Sequence, residues 1–210
     1  MPSSKEAVQQ PAPSTSRALK GRDLISIGIF AALWFAISMV FMLISGISPY
    51  IWVMLPAIDA LFCATPILLL CARVQKPGAL LVIGIVFGGF CFLSGSFSPY
   101  ILALFVGGTI VGEAIRYITH YTNFMGNAFA YAFFSLGMCG SPLPIWTLGQ
   151  SFFDQMLAQG ISAEYVGQLS GIATTPTLVL MFASTLVCGV LGAYLSRVLF
   201  KKHFAKAGMI

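Results

Sequence analysis

The positive charge of this chain is confined to four short stretches, and that confinement limits what it can fold into. All eleven Lys and Arg residues lie in an N-terminal segment (Lys5, Arg17, Lys20, Arg22), a turn (Arg73, Lys76), a single position (Arg116) and a C-terminal segment (Arg197, Lys201, Lys202, Lys206). Long apolar runs separate them. The intervening polar breaks, around residues 46–50, 94–98 and 140–175, carry no Lys or Arg. Cytoplasmic loops of membrane proteins collect basic residues and translocated loops do not. The alternation predicts an all-α membrane protein with six transmembrane helices and both termini cytoplasmic. A long extracellular loop then joins helices 5 and 6.

Composition agrees. Charged residues make up only 8% of the chain and apolar residues 58%, where a soluble domain carries about 25% charge. Such a chain can cover its surface only with lipid. The net charge of +5 reads as placement beside anionic headgroups, with no nucleic acid as partner. Five Cys are scattered without a CxxC pair, so neither a disulfide framework nor a metal site is expected. Residues 1–20, rich in Pro, Ser, Gln and Ala, are expected to form a disordered cytoplasmic tail and not a cleaved signal peptide. Residues 21–210 are expected to form one six-helix domain.

The spans are expected at about Leu24–Ser45, Pro49–Arg73, Ala79–Leu93, Pro99–Tyr117, Asn123–Gly140 and Thr175–Phe200. Ser48-Pro49, Ser98-Pro99 and Thr175-Pro176 each open a helix: the hydroxyl can cap a free N–H and Pro suits the first turn. Residues 145–172 are too interrupted to span. The spacing of Phe152, Phe153, Met156 and Leu157, and of Tyr165, Val166 and Leu169, predicts two short amphipathic helices broken at Gly160. They form either a lid over a pocket or a loop resting on the bilayer interface.

A short repeat, Ser48-Pro49-Tyr50-Ile51 and Ser98-Pro99-Tyr100-Ile101, either brings Tyr50 and Tyr100 to one outer site or reflects the interfacial aromatic belt. Two carboxylates interrupt apolar helices. Asp59 either meets a ligand from below or serves as a structural carboxyl, and Glu113 is expected to pair with Arg116 near the inner headgroups. Neither His120 nor His203 has a partner for acid–base chemistry. The chain lacks HExxH, GxSxG and phosphate-loop patterns, so no enzyme and no catalytic residue is expected. Gly28, Ala32 and Ala36 form a small-residue stripe on helix 1 that lets another helix approach, and Gly189 and Ala193 form a second on helix 6.

Taken together, these features resemble those of the S component of an energy-coupling factor transporter, and more narrowly of the Trep_Strep group. The residues that carry the likeness are Ala32-Leu33-Trp34-Phe35-Ala36 and the opening run Gly21 to Leu33. Tyr131 to Leu136, Ala163-Glu164-Tyr165 and the closing run Lys201 to Met209 add to it. The resemblance implies a substrate-binding subunit without its own cofactor. Its partners would be a transmembrane coupling subunit, which contacts the AxxxA face, and two ATPases that use ATP. It also implies a binding site in the outer loops and the outer halves of helices 4–6. The positions that fit are Tyr100, Tyr131, Met138, Trp146, Gln150, Phe153, Asp154 and Tyr165. Such a lining suits a vitamin-like, planar, partly apolar molecule. A second reading is a stand-alone proton-coupled transporter using Asp59 and Glu113; a third is a scaffold protein using only its small-residue stripes.

Overall fold

The computed structural model describes the backbone of residues 18–93 and 99–200, with side chains throughout except at 88, 89 and 91–93. Within these residues every regular element is helical. In chain order they are α1 (Gly21–Ser45), α2 (Pro49–Phe62), α3 (Ala64–Arg73), α4 (Ala79–Leu93), α5 (Pro99–Ile118), α6 (Phe124–Ser135), α7 (Pro144–Thr147), α8 (Gln150–Ala158), α9 (Ala163–Ile172) and α10 (Thr175–Leu199). A 3₁₀ turn, Leu136–Gly140, prolongs α6. The expected tail over 1–20, the Ser98 helix start and the closing run after Phe200 fall wholly or mainly outside the described residues.

The expected second helix is two helices, α2 and α3, bent by 41° at a one-residue break. Cys63 is the break. Pro66 explains it: Pro has no N–H for the Phe62 carbonyl four residues back, and its ring crowds that carbonyl. The break is covered on two sides. Tyr131 donates its phenol to the Ala60 carbonyl at 2.8 Å. Gly192 of α10 lies so close that an added Cβ would stand 2.6 Å from the Leu61 carbonyl oxygen.

The Ser/Thr-Pro starts hold less uniformly than the sequence suggests. Ser48 occupies the N-cap of α2 with Pro49 behind it, but its hydroxyl makes no capping bond. On α10 the cap is Thr174, one residue earlier than expected; its hydroxyl accepts from the Thr177 N–H at 3.4 Å. Ser162 caps α9 and Asn123 caps α6 in the same way.

Two apolar cores stack along the bundle. The larger centres on Trp34, whose indole meets Phe87, Phe105 and Phe134 edge-on at 5.1, 6.0 and 5.6 Å. The smaller lies under α7–α9 and is built on Val53, Ile145, Phe153, Met156, Val166 and Leu169. α10 packs on α2 and α6, and α5 packs on α4 and α6.

The basic positions that lie far apart in sequence come together at one end. Lys76 pairs with Asp23 at 2.6 Å, tying the α3–α4 turn to the start of α1. Arg116 donates to the Val74 carbonyl at 2.8 Å, tying the end of α5 to the end of α3. Arg197 lies 4.5 Å over the Phe124 ring, tying the end of α10 to the start of α6. Among the described residues three helices, α1, α5 and α10, are long and apolar enough to cross a membrane alone, and the bent α2–α3 pair makes either a fourth, broken span or a re-entrant loop. The 15 residues of α4 and the 12 of α6 are short of the roughly 20 that a straight crossing needs.

Candidate functional site

At the end of the bundle away from the basic residues, the α1–α2 turn faces the two short helices α8 and α9. Between them is a cavity of about 560 Å³. The wall on the bundle side is Met42, Ser45, Gly46 and Trp52. The wall on the cap side is Phe152, Gln155, Met156, Gln159, Ile161, Ser162 and Tyr165. Three aromatic side chains, two thioethers, two carboxamides and three hydroxyls, one of them the Tyr165 phenol, line this surface, with no carboxylate, ammonium or guanidinium. The volume is that of a small-molecule site, roughly 300–1,000 Å³. Partial burial pushes the Tyr165 phenol above its ordinary range, so it is a neutral donor and acceptor.

The cap walls one side of this cavity and leaves it open to the surface; it is held by packing and by a polar contact from Trp146. Phe153, Met156, Val166 and Leu169 face the smaller core. Trp146 donates its indole N–H to the Thr174 carbonyl at 2.9 Å, which fixes α7 to the start of α10. Gly149 and Gly160 take φ of +54° and +87°, a region that suits glycine. They turn the chain into and out of α8.

The ten positions expected at the site do not converge. Tyr165 lines the cavity. Trp146 and Phe153 belong to the smaller core that supports the cap. Gln150 and Asp154 bond each other at 2.9 Å on the exposed face of α8. Tyr50 is exposed at the start of α2, and Tyr100 is half-buried at the start of α5. Tyr131 and Met138 belong to the larger core. Asp59 is buried: the Cys63 thiol donates to its carboxylate at 3.2 Å, and the Ser38 hydroxyl lies 3.5 Å from that thiol. It faces the inside of the bundle and takes no part in lining the cavity.

Sequence reasoning passed over Trp52, Phe152, Gln155 and Gln159. One signal was available: Phe152, Gln155 and Gln159 follow the i, i+3, i+7 spacing of one helix face, a mixed polar–aromatic face next to the apolar one.

A second surface feature lies on α1. Gly28 and Ala32, with Ala31, Trp34 and Phe35, line an open apolar groove of about 200 Å³ against Ile83, Val86, Phe87 and Phe90 of α4. Gly28, Ala32 and Ala36 are all exposed. A Cβ added at Gly28 would meet nothing within 4 Å, whereas one at Gly189 would stand 2.8 Å from the Ala132 Cα. The stripe on α1 therefore faces outward and that on α10 packs internally.

The Glu113–Arg116 pair forms at 3.2 Å, but inside the protein. Arg116 is fully buried, and it also donates to Asn127 at 3.1 Å and to the carbonyls of Cys71 and Val74. The same Glu113 oxygen accepts the Leu80 N–H at 2.8 Å at the start of α4. No group of three His, Cys, Asp or Glu that could hold a metal occurs among the described residues.

An all-helical bundle with membrane-length apolar helices and an open cavity at one end defines a polytopic membrane protein. Over residues 21–206 the chain matches the model of the Trep_Strep family, described as a hypothetical bacterial integral membrane protein. The chain belongs to that family. No curated protein and no solved structure matches it.

Proposed function

We propose that this protein is the substrate-binding S component of an energy-coupling factor importer, with six spans and both termini in the cytoplasm. The observation that carries the reading is the 560 Å³ cavity under α8 and α9, at the opposite end from Asp23–Lys76 and Arg116–Val74. With the basic end inside, the cavity opens outside, where an importer captures its substrate. The groove along Gly28 and Ala32 suits a partner helix, since close backbone approach drives association in lipid. In this reading that partner is the coupling subunit, and its two ATPases supply the energy. The cargo is a small, uncharged, partly apolar molecule, because the cavity wall holds no charged group to neutralise an ion.

Asp59 and Glu113 argue against a stand-alone proton carrier. Each is bonded into its own buried cluster, Asp59 to Cys63 and Glu113 to Arg116 and Leu80, and neither lines the cavity. The test is purification in detergent followed by mass spectrometry of bound small molecules, then uptake in liposomes. Binding by the chain alone, with accumulation only after the coupling subunit and ATPases are added, is the expected result. Accumulation by the chain alone under a proton gradient, abolished by Asp59→Asn, overturns the reading.

A further inference from the structure

Two of the aromatic rings in the cavity wall, Trp52 and Phe152, are parallel to within 12°, with centroids 6.5 Å apart. The other stacked pair on the periphery, Phe41 and Phe62, closes to 5.1 Å. Carbon surfaces touch at about 3.5 Å, so a ring held between two others needs about 7 Å between the outer planes. The 6.5 Å between the Trp52 and Phe152 centroids is an upper limit on the spacing of their planes, so the pair must open to admit a ring. Both side chains are half-buried and come from different walls, Trp52 from α2 of the bundle and Phe152 from α8 of the cap. Because the two rings sit on separate elements, moving α8 away from α2 widens the space between them.

Next to this pair stand two carboxamides. Gln155 lies on the same face of α8 as Phe152, Gln159 follows at the end of that helix, and both line the cavity. Gln150, on the same helix, spends its amide on Asp154. Gln155 and Gln159 have no such partner among the described residues. A carboxamide offers one donor and one acceptor side by side. It therefore pairs in two-point fashion with a ring edge that carries the complementary donor and acceptor, as Gln does with adenine.

We infer that the cavity takes a neutral, planar heteroaromatic ring with an amide- or amidine-type edge. The ring stacks between Trp52 and Phe152, and the edge pairs with Gln155 or Gln159. The inference rests on the substrate-binding reading above and narrows it to a chemical class. A ligand between the two rings also ties α8 to α2, so binding holds the cap closed.

The test uses the full chain in lipid nanodiscs and three probes of defined chemistry. Lumazine is a neutral bicyclic ring with two lactam edges. Quinoxaline is a bicyclic heteroaromatic ring without them. myo-Inositol is neutral, polar and not planar. Calorimetry is expected to give saturable binding of lumazine, at least tenfold weaker binding of quinoxaline and none of inositol. Trp52→Ala is expected to weaken lumazine at least tenfold. The double variant Gln155→Leu, Gln159→Leu is expected to bring lumazine down to the quinoxaline level while leaving quinoxaline unchanged. Circular dichroism of each variant checks that the bundle is intact, and Gln155→Glu, Gln159→Glu serves as a second variant if the Leu pair fails to fold. Equal binding of lumazine and quinoxaline, an unaltered lumazine affinity in the Gln variants, or no lumazine binding by folded protein each overturns the inference. A co-purified molecule of another class whose binding is lost in Tyr165→Ala would leave the substrate-binding reading standing. If no co-purified molecule is found and Tyr165→Cys reacts with a thiol reagent equally in the presence and absence of every probe, that reading fails as well.

Discussion

Arg116 and Glu113 lie three residues apart on α5 and meet at 3.2 Å with the guanidinium wholly buried. The pair joins four elements. Arg116 reaches the carbonyls at the end of α3 and Asn127 on α6, and Glu113 reaches the N–H of Leu80 at the start of α4. A charge at membrane depth is tolerated when it faces protein and is paired; Arg116 and one Glu113 oxygen are bonded in this way, while the other Glu113 oxygen is buried without a hydrogen-bond partner among the described residues. Here the bonding closes the basic end of the bundle, where the α3–α4 turn would otherwise leave the Cys71 and Val74 carbonyls and the Leu80 N–H unpaired.

Removing the guanidinium should therefore destabilise the whole protein. Arg116→Leu leaves the Cys71 and Val74 carbonyls without a donor and a buried carboxylate without its counter-charge, bonded only by the Leu80 N–H, at a cost of about 3–5 kcal/mol. Arg116→Lys rescues only part of it, because an ammonium cannot span Asn127, Glu113 and Val74 at once. Glu113→Gln is milder, since an amide oxygen still accepts from Leu80. Unfolding in mixed micelles, followed by circular dichroism, should rank them wild type, Glu113→Gln, Arg116→Lys, Arg116→Leu in order of falling stability.

The same pair shows what a sequence conveys and what it withholds. Glu113 and Arg116 are three apart on an apolar helix, so their pairing is legible from spacing alone. Their burial is not, because Cys71, Val74 and Asn127 come from other helices. The helix boundaries are legible for a similar local reason: basic clusters, prolines and glycines punctuate the chain. The bend at Cys63 was within reach as well, through Pro66. The cavity was half legible. The amphipathic spacing of residues 152–169 marks a cap, and Tyr165 lies in its lining. The opposite wall, Met42 to Trp52, adjoins that cap only through tertiary packing, so the aromatic residues that sequence favoured, Trp146 and Phe153, prove to support the cap from beneath.

Ligand affinity should separate lining residues from supporting ones. Tyr165→Ala is expected to weaken binding about tenfold, or about 1.4 kcal/mol, with little change in melting temperature. Asp154→Ala and Tyr50→Ala, both at exposed positions outside the cavity, should leave affinity within twofold. Trp146→Phe removes the bond to the Thr174 carbonyl and should loosen the cap, raising amide exchange in α7–α9 before it alters the rest of the bundle. Calorimetry and hydrogen-exchange mass spectrometry read these effects separately.

Two small-residue positions should respond in opposite ways to one methyl group. A Cβ at Gly192 would stand 2.6 and 2.7 Å from the Leu61 and Ala60 carbonyl oxygens, against backbone that cannot give. Gly192→Ala is expected to cost about 1–3 kcal/mol and to lower the melting temperature. A Cβ at Gly28 meets nothing, so Gly28→Ala should leave folding unchanged or raise stability slightly, since Ala is the better helix former.

Membrane orientation can be read by thiol labelling from outside in intact cells, on a background with the native Cys replaced by Ala or Ser. A Cys placed at Ser48 or Gln159 should react with an impermeant reagent, and one placed at Lys76 should not. Lys76 is tied to Asp23 at 2.6 Å, so its accessibility also reports the start of α1. Labelling at Lys76 from outside would invert the arrangement and place the cavity mouth in the cytoplasm.

The outward stripe on α1 gives the last prediction. Ala32 lines the groove against α4, and Ala36, one turn on, is exposed. Bulky side chains there fill space that none of the described residues occupies. Ala32→Trp with Ala36→Trp should therefore leave the melting temperature and ligand affinity close to wild type, because neither residue touches the cavity wall. If the groove receives a helix of a coupling subunit, the same variant should lose co-purification with that subunit and lose uptake in cells, since a helix kept out by two indoles cannot reach the contact distance on which packing in lipid depends. Retained uptake would show that the groove meets only lipid. Loss of folding would show that α1 needs the groove open for its own packing on α4.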